Sequence, residues 1–205
     1  MKRVSMQDVR KTDYYYEEAI KTLLTNIKFA GKEVKTILLT SCYPNEGKSD
    51  ITFSLAREMA ASGKRVLLLD TDMRKSTYAL RFRVAESVSG LSQFLSGQIG
   101  IADLLYSTNY ENLDIIFAGP TVPNPSALLG EGIFSTLMKK LREHYDYIFV
   151  DTPPVGTIID AAIVAQKCDG AVLNKVDMKK DKYYSRYSGK YAAYYEKMKE
   201  DQNKN

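Results

Sequence analysis

Cysteine is scarce in these 205 residues: Cys42 and Cys168 stand far apart in the chain. That argues against a disulfide framework or a cysteine-built zinc site, and it makes a reducing cytosol the expected compartment. Long apolar runs are missing too. No stretch approaches the roughly 20 residues needed to cross a bilayer, and the N-terminal "MKRVSMQDVRKTDYYYEE" lacks the apolar core of a signal peptide. Nor is there a strong excess of one charge. The net charge is +4, much of it near the C-terminus, which favours neither a strong membrane binder nor a nucleic-acid partner. What is present, 44% hydrophobic and 26% charged residues, is ordinary globular composition. The length suits one compact domain with a sizeable core.

Strand-like and helix-like segments alternate along the chain. Val34 to Ser41, Arg65 to Asp70, Leu113 to Gly119, Tyr145 to Asp151 and Asp169 to Asp177 read as five β-rich runs. Between the first two, Lys48 to Ser62 carries helical spacing with Ile51, Leu55 and Met59 on one face, and Gly63 suits the C-cap. "GLSQFLSG" and "IADLLYS" read as short helices, and "GIFSTLMKKLREHY" as an amphipathic one. Strands alternating with helices predict a parallel α/β sheet flanked by helices, with ligands bound beyond the strands' carboxyl ends. Three segments follow: an N-terminal helical stretch over 1–33, a phosphate-binding domain over 34–177, and a flexible tyrosine-rich tail over 178–205.

Chemistry-bearing residues fall at those strand ends. Asn45, Glu46, Gly47, Lys48 and Ser49 close a P-loop, although Cys42 stands where the usual pattern opens with Gly. In such a loop backbone N–H groups cradle phosphate oxygens, the lysine neutralises the outer phosphates, and the Ser49 hydroxyl ligates Mg²⁺. Asp70 and Asp72 end the second strand and Asp151 the fourth, where carboxylates can hold the metal's water ligands and orient a nucleophile. The bland alternative is a chance Gly-Lys-Ser with aspartates serving as strand-end caps. The order of the acids along the chain argues against it. A nucleotide and Mg²⁺ are the expected ligands.

"YYEEAIKTLLTNIKFA", "ILLTSCYPNEGKSD", "RVLLLDTDMRKS", "AGPTVPNPSALL", "YDYIFVDTPPVGTIIDA" and a terminal tyrosine cluster occur in that order. Together they resemble the bacterial tyrosine kinases of capsule and exopolysaccharide assembly, over nearly the whole chain. The resemblance implies a P-loop fold of the MinD/ParA kind whose loop normally lacks the opening Gly. It makes Lys48 the phosphate lysine, Asp70 the base or orienter for an acceptor tyrosine hydroxyl, and Ser49, Asp72 and Asp151 the residues around the metal. It also implies a cytoplasmic protein held at the inner face of the plasma membrane by a membrane adaptor of polysaccharide export. Autophosphorylation would pass between molecules. Tyr183, Tyr184, Tyr187, Tyr191, Tyr194 and Tyr195, crowded into thirteen residues of polar sequence, are the expected acceptors. The bland reading of that cluster is an amphipathic helix burying one tyrosine face.

Departures from the family pattern bear on activity. Asn45 replaces a Gly, and asparagine tolerates left-handed geometry better than most residues. Asp50 replaces a phosphate-contacting Thr, so its carboxylate should repel nucleotide unless Mg²⁺ or a nearby Lys or Arg compensates. Glu18 keeps a ring-assembly position, but Lys21 and Leu24 stand where the family has two arginines. After "DGAVL" the chain runs directly into "NKVD", and a strand-helix-strand crossover of roughly 30 residues is missing. The hypothesis is an internal deletion joining two similar strands; an intact sixth strand built from 178–205 would defeat it. "NKVD" supports a rival reading, a GTPase in which Asn174 contacts the base, although Asp151 is followed by Thr-Pro-Pro rather than a γ-phosphate-sensing Gly. A third reading is a catalytically impaired pseudokinase that binds the adaptor. These departures yield two expectations. Asp50→Thr should tighten MgATP binding by about 1 kcal/mol, measured by titration. Lys21→Arg with Leu24→Arg should raise the assembled mass in light scattering.

Overall fold

The computed structural model describes residues 2–156 and 159–175. The chain runs β1 (Lys2–Arg3), α1 (Tyr14–Phe29), β2 (Thr36–Ser41), α2 (Lys48–Ala61), β3 (Val66–Asp70), α3 (Tyr78–Arg81) and α4 (Leu91–Leu95). A 3₁₀ turn at Ile101–Asp103 leads into β4 (Tyr106–Ser107) and β5 (Leu113–Ile116). Then come α5 (Pro125–Gly130), α6 (Gly132–His144), β6 (Tyr147–Asp151), α7 (Asp160–Ala165) and β7 (Gly170–Asn174). The sheet has seven strands in the order β1-β4-β5-β3-β6-β2-β7, with every pairing parallel except β4 with β5. The parallel α/β sheet expected from the alternation of elements is what forms.

Side-chain alternation along the strands feeds two cores. Ile37, Leu39, Val66 and Leu68 face a layer built by α1 and α2, where Phe53, Leu55 and Met59 are buried. Leu38, Leu67 and Leu69 face the opposite way, onto Leu91, Leu129, Leu137 and Leu141. Successive strand side chains point to opposite faces, so a continuous apolar run suits a sheet covered on both sides. Each fully buried aliphatic contributes about 1.5–3 kcal/mol, which is why the sheet centre is rigid enough to place charged groups at its edge.

Two expectations change. The stretch Ile101 to Ser107 is a 3₁₀ turn followed by a strand, not a helix. The segment 1–33 is not helical throughout, nor set apart from the core. β1 pairs with β4, Val4 and Met6 are almost wholly buried, and α1 carries Ile20, Leu24 and Ile27 into the same core as α2. Two-residue strands have no periodicity of their own; they form because a neighbouring edge offers ladder hydrogen bonds. At the other edge, β7 pairs with β2, and no further strand adds to it among the described residues. Residues 178–205, which would decide the crossover hypothesis, lie outside the described residues.

The burial of Leu24 overturns the expectation for its arginine variant. Glu18 and Lys21 form an exposed i,i+3 ion pair, but Leu24 is 6% exposed and packs in the core. Leu24→Arg should therefore destabilise the fold by about 3 kcal/mol, because it places a charge where no partner waits. A denaturant midpoint for Leu24→Arg equal to that of the unaltered chain would contradict this.

Candidate nucleotide site at the strand ends

The site begins with the register of the two central strands. β3 and β6 run side by side and pair Asp70 directly with Asp151. Both carboxylates are buried. Burial, together with the charge of Asp151, drives the Asp70 pKa well above the usual carboxylate range. Burial also raises Asp151, while Lys48 and the hydroxyls of Ser49 and Thr52 work against it. The Ser49 hydroxyl donates to Asp151 Oδ2 at 2.6 Å, and Thr52 Oγ1 lies 3.3 Å from Asp151 Oδ1. Lys48 Nζ stands 3.7 Å from Asp151 Oδ2 and 3.8 Å from Asp72 Oδ2.

The loop between β2 and α2 wraps this cluster. Gly47, the N-cap of α2, has φ +82°, and Asn45 has φ +62°. Asparagine is among the few side chains that enter the left-handed region at modest cost. Glu46 braces the loop from inside: its side chain accepts from the Tyr43 N–H, and its carbonyl accepts from the Asn174 amide at 2.7 Å. The segment after β6 leans on the same loop. The Val155 N–H donates to the Ser41 carbonyl, and a Cβ at Gly156 would meet the Cys42 carbonyl oxygen at 2.4 Å, so only glycine fits there. Residues 44–49, Asp72, Arg74, Lys75, Thr77, Arg81, Pro153 and Pro154 enclose a cavity of about 230 Å³.

Most of the expected site residues converge here. Lys48, Ser49 and Asp72 line the cavity, and Asp151 lies directly behind them. Asp70 sits deeper, with no exposed surface; its Oδ1 accepts the Asp72 N–H and its Oδ2 accepts the hydroxyl of the exposed Ser76. Asn174 braces the loop with its amide and is not part of the cavity wall. Asp177 and all six tail tyrosines, Tyr183 to Tyr195, lie outside the described residues. Asp50 does not stand bare before the phosphates. Arg10 Nη1 approaches its Oδ1 at 3.1 Å, and Arg81 pairs with its Oδ2. The compensation named as a condition is present twice over, which removes the ground for expecting a large gain from Asp50→Thr.

A polyphosphate fits this donor set. A positive-φ loop, a helix N-terminus and a lysine are groups that can bind phosphate, and Ser49, Asp72 and Asp151 carry oxygens that suit a hard cation. Among the described residues no three His, Cys, Asp or Glu side chains form a cation cage. Mg²⁺ does not need one, since it keeps several waters and takes further oxygens from phosphate.

One cluster near the cavity joins residues from three separate segments of the chain, a pairing that the segments themselves do not announce. Arg74 Nε donates to the buried Asp160 Oδ2 at 2.8 Å, and Ser126 donates to Asp160 Oδ1. Burial alone would raise Asp160; Arg74 and Ser126 outweigh it and hold the carboxyl low. This links β3 to α5 and α7 and aims Arg74 at the cavity. Asp160→Asn should cost about 2 kcal/mol in denaturant unfolding, the scale of a charge-assisted bond lost inside the protein, and unchanged stability would show the pair to be dispensable.

Comparison with known proteins agrees with this geometry. The AAA domain family model matches residues 34–169. Tyrosine-protein kinase CpsD of Streptococcus pneumoniae is 39% identical over 192 residues, 90% of this chain and 83% of its own length. The crystal structure of the chimerical protein CapA2B2 superposes with a TM-score of 0.74 at 32% identity, covering 84% of this chain and 79% of that one. The septum site-determining protein MinD of Pyrococcus horikoshii, complexed with Mg-ADP, shares the fold at a TM-score of 0.59 and 24% identity, covering 68% and 57% of the two chains. Identity of this extent, running through most of both chains, is a family relationship: the protein belongs to the bacterial tyrosine kinases.

Proposed function

We propose that this chain is an ATP-dependent protein-tyrosine kinase that phosphorylates the tyrosine-rich tail of a second copy of itself. It acts in capsular or exopolysaccharide polymerisation and export, docked on a membrane adaptor at the inner face of the plasma membrane. The observation that carries the reading is Lys48 Nζ, within 3.8 Å of both Asp72 and Asp151 at the mouth of a braced phosphate loop. Among the described residues no helix is long and apolar enough to cross a membrane, which suits an adaptor as the means of attachment.

Bound MgATP supplies the transferable phosphoryl group and a divalent charge to neutralise it. Lys48 and the loop N–H groups would hold the phosphates. Ser49, Asp72 and Asp151 would hold the metal's shell. Asp70, which has no exposed surface, would act as base or orienter for the acceptor hydroxyl. Its raised pKa favours accepting a proton, and the exposed Ser76 hydroxyl already donates to its Oδ2, in the manner an acceptor hydroxyl would. Positioning and charge neutralisation do the rest, so the chemistry needs no histidine. The engagement of Asn174 with Glu46 weighs against a guanine contact and so against the GTPase. The pairing of Asp50 with two arginines weighs against a pseudokinase disabled by that residue.

The test is incubation with MgATP and the adaptor's cytoplasmic segment, followed by mapping of phosphotyrosine by mass spectrometry. Phosphate should appear on the cluster Tyr183, Tyr184, Tyr187, Tyr191, Tyr194 and Tyr195 and vanish in Lys48→Met. Mixed with the active protein, the Lys48→Met chain should itself be phosphorylated, because transfer runs between molecules. Absence of phosphotyrosine would sink the kinase reading and leave the pseudokinase.

A further inference from the structure

Asp50 occupies the first turn of α2, next to the phosphate loop, and its two arginines differ in what else they do. Arg10 is a fixed structural group. Its guanidinium makes two 2.7 Å bonds to Asp8, donates to the Asp50 carbonyl at 3.0 Å, and lies over the rings of Phe53 and Phe82. It is 19% exposed and forms no part of the cavity wall. Arg81 is the last residue of α3 and a different kind of group. Its side chain is 39% exposed and lines the cavity together with Asn45, Gly47, Lys48 and Ser49. The oxygen it grips, Asp50 Oδ2, lies 3.9 Å from where a Cβ on Gly47 would be. The guanidinium is therefore held at the loop itself.

We propose that Arg81, oriented by Asp50, is a polyphosphate-contacting residue of this chain. The proposal deepens the nucleotide reading of the cavity and rests on it. Among the described residues, the side-chain hydrogen bond and ion pair of Arg81 use Nη2 alone, on Asp50. An arginine presents five N–H donors in a planar fork, so Nε and Nη1 can meet phosphate oxygens while Nη2 stays on the carboxylate. Asp50 thus acts as an orienting group. It costs the site a negative charge, and it returns a guanidinium fixed in place with little rotamer freedom left to lose. Arg81 has two effects on a bound polyphosphate: direct donation, and shielding of Asp50 from the phosphates. The sequence offers no hint of this. Arg81 lies 31 positions from Asp50 and belongs to no phosphate-binding pattern.

The two effects separate in a double-mutant cycle. A fluorescent ADP derivative with Mg²⁺ is titrated into the full chain and into Arg81→Ala, Arg81→Lys, Asp50→Asn and the Arg81→Ala/Asp50→Asn double variant. Melting temperatures without nucleotide are recorded for each. Arg81→Ala should weaken MgADP at least tenfold with the melt within a few degrees of the unaltered chain. Arg81→Lys should weaken MgADP by at least about threefold, because a single ammonium cannot hold Asp50 and meet phosphate oxygens at once. Asp50→Asn alone should change affinity less than about threefold, since Arg10 and Arg81 already neutralise that carboxylate. Added to Arg81→Ala, it should recover at least threefold, because the unshielded charge is then gone. MgADP affinity in Arg81→Ala within twofold of the unaltered chain would overturn the proposal, as would a double variant no tighter than Arg81→Ala. Failure of the unaltered chain to bind MgADP would instead refute the nucleotide reading of the cavity.

Discussion

Two aspartates that strand pairing forces side by side set the terms for this molecule. Asp70 and Asp151 are Cα partners at the carboxyl ends of β3 and β6, both out of water. Two such carboxylates cannot both be charged cheaply. The protein meets the cost with Lys48, with hydroxyls from Ser49, Thr52 and Ser76, and with the Asp72 N–H. Each of these groups comes from α2 or from the turn after β3, so neither element can move without exposing the imbalance. A divalent cation and a polyphosphate add charges of both signs at the same point. In water such groups would have to be reorganised for each reaction, whereas here they are oriented in advance by a sheet buried on both faces.

The loop between β2 and α2 is braced by tertiary contacts. Cys42 at its opening contributes its carbonyl, against which Gly156 fits with no room for a side chain. Glu46 ties the loop to itself and to the end of β7 through Asn174. Gly47 and Asn45 supply the positive φ angles of its turn. A loop held from three sides loses little entropy when a ligand arrives, which is how binding energy becomes available for positioning.

Asp50 stands in the first turn of α2, beside the phosphate loop. A carboxylate at position 50 would be a liability alone. Here the N-terminal arm lies across the sheet edge, its Val4 N–H bonded to Ser107 and its Gln7 N–H to Phe82, and it delivers Arg10 to Asp50. Arg10 in turn is held by Asp8, which also pairs with Arg57. The same arm carries Val4 and Met6 into the core. Charge compensation at the site and burial of the N-terminus are therefore one structural event.

The sequence by itself determined the α/β class, the place of the phosphate loop, and the aspartates at strand ends. Apolar periodicity and Gly-Lys-Ser are local signals, and a parallel sheet leaves strand ends in only one position relative to that loop. Asp160 with Arg74, Arg81 with Asp50, Ser76 with Asp70, and Asn174 with Glu46 were decided by the tertiary structure. So was the burial of Leu24, where a family pattern of charge suggested a surface. Apart from Ser76 and Asp70, which are six positions apart, these depend on which residues far apart in the chain come to share a few ångströms of space. A carboxylate's partner is chosen by distance and burial, and neither is written into the spacing of residues along the chain.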